Sequence, residues 1–194
     1  MYYIKIKIMI NNIKDLKEYI LADKKALGIK HRFPTFWGDH IWKMEIHLRL
    51  AEYFHNIKGS NLFLKALSKY CSYRFKVRCE KRCCEIPLNV IGPGLCIWHG
   101  FNIIINSHAV IGNNFGISAN CNVGHAHNLV PVIGDNVTMS FGSKVLGGIT
   151  VCNNVTIGAS ALVIKSITTE YCTVAGIPAK IISIKDPSKP LIRG

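Results

Sequence analysis

Residues 105–163 read INSHAVIGNNFGISANCNVGHAHNLVPVIGDNVTMSFGSKVLGGITVCNNVTIGASALV, and through this stretch an aliphatic residue returns at every sixth place. Ile105, Ile111, Ile117 and Val123 keep the spacing, and after one interruption Ile133, Met139, Val145, Val151, Ile157 and Val163 resume it. The fourth residue after each is apolar or small: Ala109, Phe115 and Cys121, then Val137, Ser143, Ile149, Val155 and Ala161. Gly112, Gly124, Gly134 and Gly158 follow the aliphatic residue, where a tight corner calls for a residue without a side chain. A period of six fits neither the 3.6 of an amphipathic helix nor the 2 of a half-buried strand. It is the period of a solenoid.

Carried backwards, the beat puts Ile103, Ile97 and Ile91 in the fourth position and His99 where an aliphatic residue belongs, so the solenoid is expected to begin near Pro87. Residues 86–168 accommodate about four coils of three hexapeptides, more than a repeat array needs to bury a continuous core. The interruption between Val123 and Ile133 spans ten residues instead of six, which extrudes four residues somewhere in 124–131. A loop forced out of a rigid scaffold is a usual place for binding groups.

Ahead of the beat the period is helical. Residues 12–28 suit a helix capped by Asn11 or Asn12 and stopped at Gly28, residues 38–57 a helix apolar over a wide arc, and residues from Leu62 onward a third helix after a Gly59-Ser60-Asn61 turn. The expected organisation is α+β: a helical domain over 1–85, a solenoid over 86–168, and a strand, loop and tail over 169–194.

The chain has 194 residues with a net charge of +13, and the excess is unevenly placed: 18 basic and 8 acidic residues precede Ile86, and 6 and 3 follow it. The cations are interleaved with acids and apolar residues, without an arginine-rich arm, zinc-finger spacing or RNA-binding aromatic motif, so no nucleic acid partner is expected. The opening MYYIKIKIMI carries Lys5 and Lys7 and is too short to span a bilayer, so membrane insertion is not expected. Eight cysteines without a secretory segment suit reduced thiols and a cytoplasmic location. Cys79, Cys83 and Cys84 lack the second ligand pair that a metal site needs, and no metal is expected.

Four segments carry a resemblance to a known family: Thr35-Phe36-Trp37-Gly38-Asp39, Gly92-Pro93-Gly94-Leu95-Cys96-Ile97-Trp98-His99-Gly100, Ile133-Gly134-Asp135-Asn136-Val137 and Val174-Ala175-Gly176-Ile177-Pro178-Ala179-Lys180. Together with the hexapeptides they resemble the hexapeptide-repeat acyltransferases, and among these the serine O-acetyltransferases, especially the short form associated with surface-polysaccharide gene clusters. The resemblance implies a left-handed parallel β-helix, a homotrimer or stacked trimers with active sites in clefts between neighbouring subunits, and acetyl-CoA as co-substrate. It implies acetyl transfer to L-serine or a similar small hydroxyl compound, with a saccharide hydroxyl as the alternative acceptor. Because some solenoids of this kind are metal enzymes like the γ-carbonic anhydrases and others are inert scaffolds, zinc content and acetyl-CoA binding separate those readings.

Removing a hydroxyl proton during attack on a thioester needs a base that titrates near neutrality. His99 aligns with the family's catalytic histidine. The orienting aspartate of the long-form enzymes falls on Cys84, leaving Glu85 beside it as the substitute, and the acid that usually precedes the histidine is Trp98. In the family a second histidine, from the extruded loop, contacts the acceptor; alignment puts Val130 there, and His125 or His127 either takes the role or is a plain loop residue. Asp39 and Asp23 are the acceptor-recognition candidates of the helical domain, set against simple capping or surface charge. For acetyl-CoA, Gly142, Ser143, Gly158, Ala159 and Ala161 offer close approach to the pantetheine arm, and Lys144, Lys165 and Lys180 offer charge. The long-form enzymes dock a sulfhydrylase through a tail ending in isoleucine; with Leu191-Ile192-Arg193-Gly194 at its end, this chain is not expected to share that partner.

Overall fold

The computed structural model describes residues 9–57 and 61–187; the first eight residues of the apolar opening, most of the Gly59-Ser60-Asn61 turn and the Leu191-Ile192-Arg193-Gly194 tail lie outside them. Three helices precede a parallel β-solenoid of about four coils. α1 (Ile13–Ala26) starts where the Asn12 side chain accepts a hydrogen bond from the Asp15 N–H at 2.9 Å. Asp15 in its first turn and Lys24 and Lys25 in its last complement the helix dipole. α2 (His40–Asn56) lies against both α1 and α3 (Leu62–Glu80), which explains its wide apolar arc. Trp42, Met44, Leu48 and Ala51 are buried, and Ile41 and Met44 come so near Gly100 of the solenoid that a Cβ there would lie 2.6 Å from Ile41.

The joint between helices and solenoid is ionic. Arg49, wholly buried, donates to Asp23 at 2.7 and 3.3 Å, to Glu52 at 3.0 Å, and to the carbonyls of Ile91 and Gly92 at 3.0 and 2.8 Å. Burial opposes its charge, but Asp23 and Glu52 outweigh that and push the guanidinium pKa up. Asp23 in turn accepts from the Gly94 and Leu95 N–H groups, both at 2.8 Å, and Glu52 from the Asn89 N–H at 2.8 Å. One planar guanidinium thus ties α1, α2 and the first coil together.

The solenoid has three faces. The first stacks Cys96–Ile97, Gly116–Ile117, Thr138–Met139, Thr156–Ile157 and Cys172–Ala175, closed by Lys180–Ile184 running antiparallel. The second stacks Ile104–Ile105, Asn122–Gly124, Lys144–Leu146 and Leu162–Val163, headed by a bridge from Glu85. The third stacks Val110–Ile111, Val132–Ile133 and Thr150–Val151, bracketed by bridges from Ile91 and Ile167. Strands of two or three residues suffice because each backbone group bonds to the coil before or after it. The six-spaced residues from Ile105 to Val163 are all 4% exposed or less, and each contributes about 1.5–3 kcal/mol by leaving water.

Two features depart from the expected register. The glycines after the aliphatic positions do not turn the corners. Gly112 and Gly134 are there because a Cβ would meet backbone of the next coil at 2.7 and 3.0 Å, while the left-handed turns fall to Asn102, Asn114, Asn120, Asn136 and Asn154. Their side chains bond coil to coil, Asn114 to Asn136 and Asn136 to Asn154 at 3.0 Å each. The backward beat also slips. Ile97 pairs with Ile117 and Ile105 with Val123, so eight residues instead of six separate these inward positions, and the corner between them holds two extra residues. His99 therefore lies on an enlarged, exposed corner with a left-handed φ of 51°, the corner and not the inward one of the two places the beat allows it.

Candidate active site

Both breaks in the beat border the second face. The His99 corner leads into that face and the extruded loop leads out of it. Below His99 the same corner carries Ser118-Ala119-Asn120, Ser140-Phe141-Gly142 and Gly158-Ala159-Ser160 in successive coils. Backbone bonds stack them: Asn120 N–H to Phe101 at 3.0 Å, Gly142 to Ala119 at 3.0 Å and Ser160 to Phe141 at 2.8 Å. Gly142, Gly158 and Ala159 thus lie in this corner column in three different rows: Gly142 stacks on Ser160, Ala159 on the exposed Phe141, and Gly158 on Ser140.

The remaining cofactor candidates divide. Ser143 and Ala161 face the core, 0% and 1% exposed, and the Ser143 hydroxyl donates to the Ser140 carbonyl at 2.7 Å, so neither offers its side chain to a ligand on the corner. Lys144 is exposed on the second face, its ammonium turned back to the Gly142 carbonyl at 3.2 Å. Lys180 opens the last strand opposite Ala175, in a segment that brackets Leu162 through the Gly176 carbonyl and the Ala179 N–H. Lys165 is exposed beyond the Leu162–Val163 strand, away from the column.

The extruded residues form a tight hairpin. Ala126 and Leu129 exchange both backbone hydrogen bonds at 3.0 Å around His127 and Asn128, whose φ values are 51° and 60°. Two consecutive positive φ angles make a type I′ turn. Gly148 accommodates it, since a Cβ there would stand 2.6 Å from Leu129. His127 is consequently at the exposed tip. His125 is at the root, and it lines a cavity of about 600 Å³ together with Glu85, Asn106, Ser107, Asn122 and Gly124.

The fold thus brings Glu85 and His125 to one cavity and leaves His127 out of its lining. Among the described residues the His99 ring has no hydrogen-bond or ion-pair partner, Glu85 included, and Cys84 donates to the Arg82 carbonyl. The acidic acceptor candidates are both engaged within the chain. Asp23 is 1% exposed and committed to Arg49 and the first coil. Asp39 clamps its own loop, accepting from the Thr35 N–H at 2.7 Å, the Thr35 hydroxyl at 2.8 Å and His31 at 2.8 Å; the Thr35 bonds above all lower its carboxyl to about 2.

Asn106 and Asn122 escaped the sequence reading. They flank the inward Ile105 and Val123, so the alternation of a two-residue strand already points both outward onto the second face. The Asn106 amide is oriented by its neighbours: its oxygen accepts from the His108 N–H at 2.9 Å, which leaves its NH₂ to donate to His125 Nδ1 at 3.3 Å. His125 Nδ1 is then an acceptor, and the ring proton sits on Nε2. Asn122 Oδ1 is buried and has no hydrogen-bond partner among the described residues.

No protein-family model matches the chain. A serine acetyltransferase of Staphylococcus aureus (strain Mu50) is 40% identical over 173 residues, covering 87% of this chain and 76% of that protein. A serine acetyltransferase of Buchnera aphidicola subsp. Schizaphis graminum is 32% identical over 199 residues, covering 96% and 72%. Among solved structures, a serine acetyltransferase in complex with CoA superposes with a TM-score of 0.65 at 23% identity over 88% of this chain and 71% of that one, a likeness of fold.

Proposed function

The chain belongs to the serine acetyltransferase family, and from that premise we propose that it is an acyltransferase that moves the acetyl group of acetyl-CoA to the hydroxyl of L-serine, with His99 as general base. The observation that carries the reading is kinship across 87–96% of the chain, and it is joined by the small residues Gly142, Gly158 and Ala159 in the corner column that runs down from His99. That column lets a pantetheine arm approach the backbone, and Lys144 and Lys180 are the cations for the phosphates of CoA. An imidazole nitrogen of His99 takes the serine hydroxyl proton as the oxygen attacks the thioester carbonyl. The C–S bond breaks, the thiolate regains the proton from the imidazolium, and O-acetylserine and CoA leave. The saccharide alternative has no support from the relatives. The family resemblance implies a homotrimer in which each site lies between two copies, and the His99 ring, without a partner among the described residues, is open to a neighbour that completes the base. No helix among the described residues is long and apolar enough to cross a membrane.

The test is thiol release from acetyl-CoA in the presence of L-serine. The wild type releases thiol, and His99→Ala lowers kcat by about a hundred- to ten-thousand-fold, the range of a lost general base. Equal rates in the two proteins would remove His99 from the mechanism. No serine-dependent release in the wild type would remove the activity.

A further inference from the structure

Arg74 and Arg78 stand one turn apart on α3, and Arg82 continues their line just past its end, its N–H still donating to the Cys79 carbonyl at 3.0 Å. Successive members of the row are about 6 Å apart along the axis. Like charges at this spacing oppose a helix. The buried Arg49 and the exposed Lys76 each face an acid, but Arg74, Arg78 and Arg82 have no ion-pair partner among the described residues. Arg74 lies over the Tyr70 ring, 5.8 Å from its centroid. Arg78 is half-buried, with its Nε enclosed and without an acceptor. Burial, then the charges of Arg74 and Arg82, lower its pKa, and no carboxylate offsets them. From α2, His47 faces the same charges: burial, Arg78 and Arg74 lower its pKa, while its Nδ1 donates to the Lys43 carbonyl at 2.5 Å and its Nε2 has no partner among the described residues. The Lys43 ammonium is turned away to the Phe36 carbonyl at 2.9 Å. At its far end the row touches the His99 corner, where the Arg82 guanidinium donates to the Gly100 carbonyl at 3.3 Å and the Arg82 carbonyl accepts from the Asn102 N–H at 2.8 Å.

Three neighbouring cations without an acid, one of them half-buried, are a cost to the fold that a bound anion removes. We propose that Arg74 and Arg78, with His47 facing them, bind a diphosphate group, and that Arg82 links this site to the His99 corner. A guanidinium meets a phosphate with paired N–H donors, and the step of about 6 Å gives each phosphoryl group an arginine of its own. An anion with a single charged group would leave one arginine unanswered. The site lies on the helices, apart from the corner column and from Lys144 and Lys180, the cations assigned to the phosphates of CoA. A diphosphate seated on Arg78 attracts the neighbouring Arg82 away from the Gly100 carbonyl and loosens the corner. Resting on the reading of His99 as the base, the ligand is therefore an inhibitor that does not compete with acetyl-CoA.

Calorimetry on the full chain in phosphate-free buffer compares inorganic pyrophosphate and ADP as ligands of the wild type, Arg74→Gln and Arg78→Gln. Pyrophosphate should bind the wild type, and its Kd should rise about ten- to hundredfold in either variant, the scale of a lost charge-assisted hydrogen bond. ADP binding that weakens in the same variants would extend the site to nucleoside diphosphates. Without ligand neither variant should melt below the wild type, because each relieves a like-charge repulsion, and pyrophosphate should raise the melting point of the wild type more than theirs. In serine-dependent thiol release, pyrophosphate should lower kcat and leave KM for acetyl-CoA unchanged, and Arg78→Gln should relieve the inhibition. No binding of pyrophosphate to the wild type, binding indifferent to both substitutions, or variants that melt lower than the wild type would each overturn the site. Inhibition that acetyl-CoA competes away would overturn it too, by moving the anion to the place of the CoA phosphates. A wild type inert toward serine would overturn the proposed activity and the link to His99 alone, because the calorimetric result stands without turnover.

Discussion

Glu45 shows how much one residue can cost a fold when its surroundings are arranged for another purpose. It is wholly buried on α2, with one oxygen accepting from the Ile97 N–H at 3.2 Å and the other without a partner among the described residues. Burial, then the nearby Asp23 carboxylate, push its carboxyl pKa well above the usual range. The native chain therefore holds a proton that the unfolded chain loses above the ordinary glutamate pKa. Its contribution is fully favourable only below that value, and stability declines as pH rises from about 4.5 toward the raised pKa, with a slope of at most about 1.4 kcal/mol per pH unit. Glu45→Gln keeps the bond to Ile97 and cannot ionise. It should melt higher in urea than wild type at pH 8 and match it near pH 4.5; identical midpoints at both pH values would mean that Glu45 is ionised in the native state.

At the scale of elements, α2 is the strut between the other helices and the first coil, and Arg49 is its anchor. Every direction in which the guanidinium can donate is filled by Asp23, Glu52 or the Ile91 and Gly92 carbonyls. Arg49→Met would leave two buried carboxylates uncompensated, and removing one partner of a buried ion pair costs about 3–5 kcal/mol. The urea midpoint should fall by that amount with an unchanged denaturant slope; a loss below about 1 kcal/mol would show that water replaces the guanidinium at this joint. The hairpin at Ala126–Leu129 is another element with an identifiable fit, since Gly148 yields the space that Leu129 fills.

For the molecule as a whole, the charge is concentrated in the helices and the coils are nearly neutral, so the solenoid is the part suited to close packing against its own copies. The second face supports this reading. Ile104 and Ile164 are exposed there at 37% and 47%, and Phe101 and Phe141 stand on the adjoining corner at 53% and 52%. The proposed homotrimer predicts a sedimenting species of three times the 21.6 kDa chain mass, with activity lost on dilution to single chains. A fully active monomer would contradict it and would leave His99 to work without a neighbour.

The sequence by itself determined the solenoid, the three helices and the place of the extrusion, because a buried hexapeptide repeat leaves a period that no other architecture produces. It also marked His125 through that interruption, and His99 through its resemblance to a family motif. The tertiary structure alone decided which of these groups meet. The two extra residues between Ile97 and Ile105 are invisible to a periodicity count, since Ile103 continues a false beat, and they decide that His99 stands on an exposed corner. Asp23 and Asp39 look alike as acidic residues near helix ends; only packing shows that one is buried against Arg49 and the other clamps its own loop. Glu85 is far in the chain from Asn122 and His125 and lines the same cavity because coils stack, and that meeting is set by the register between coils.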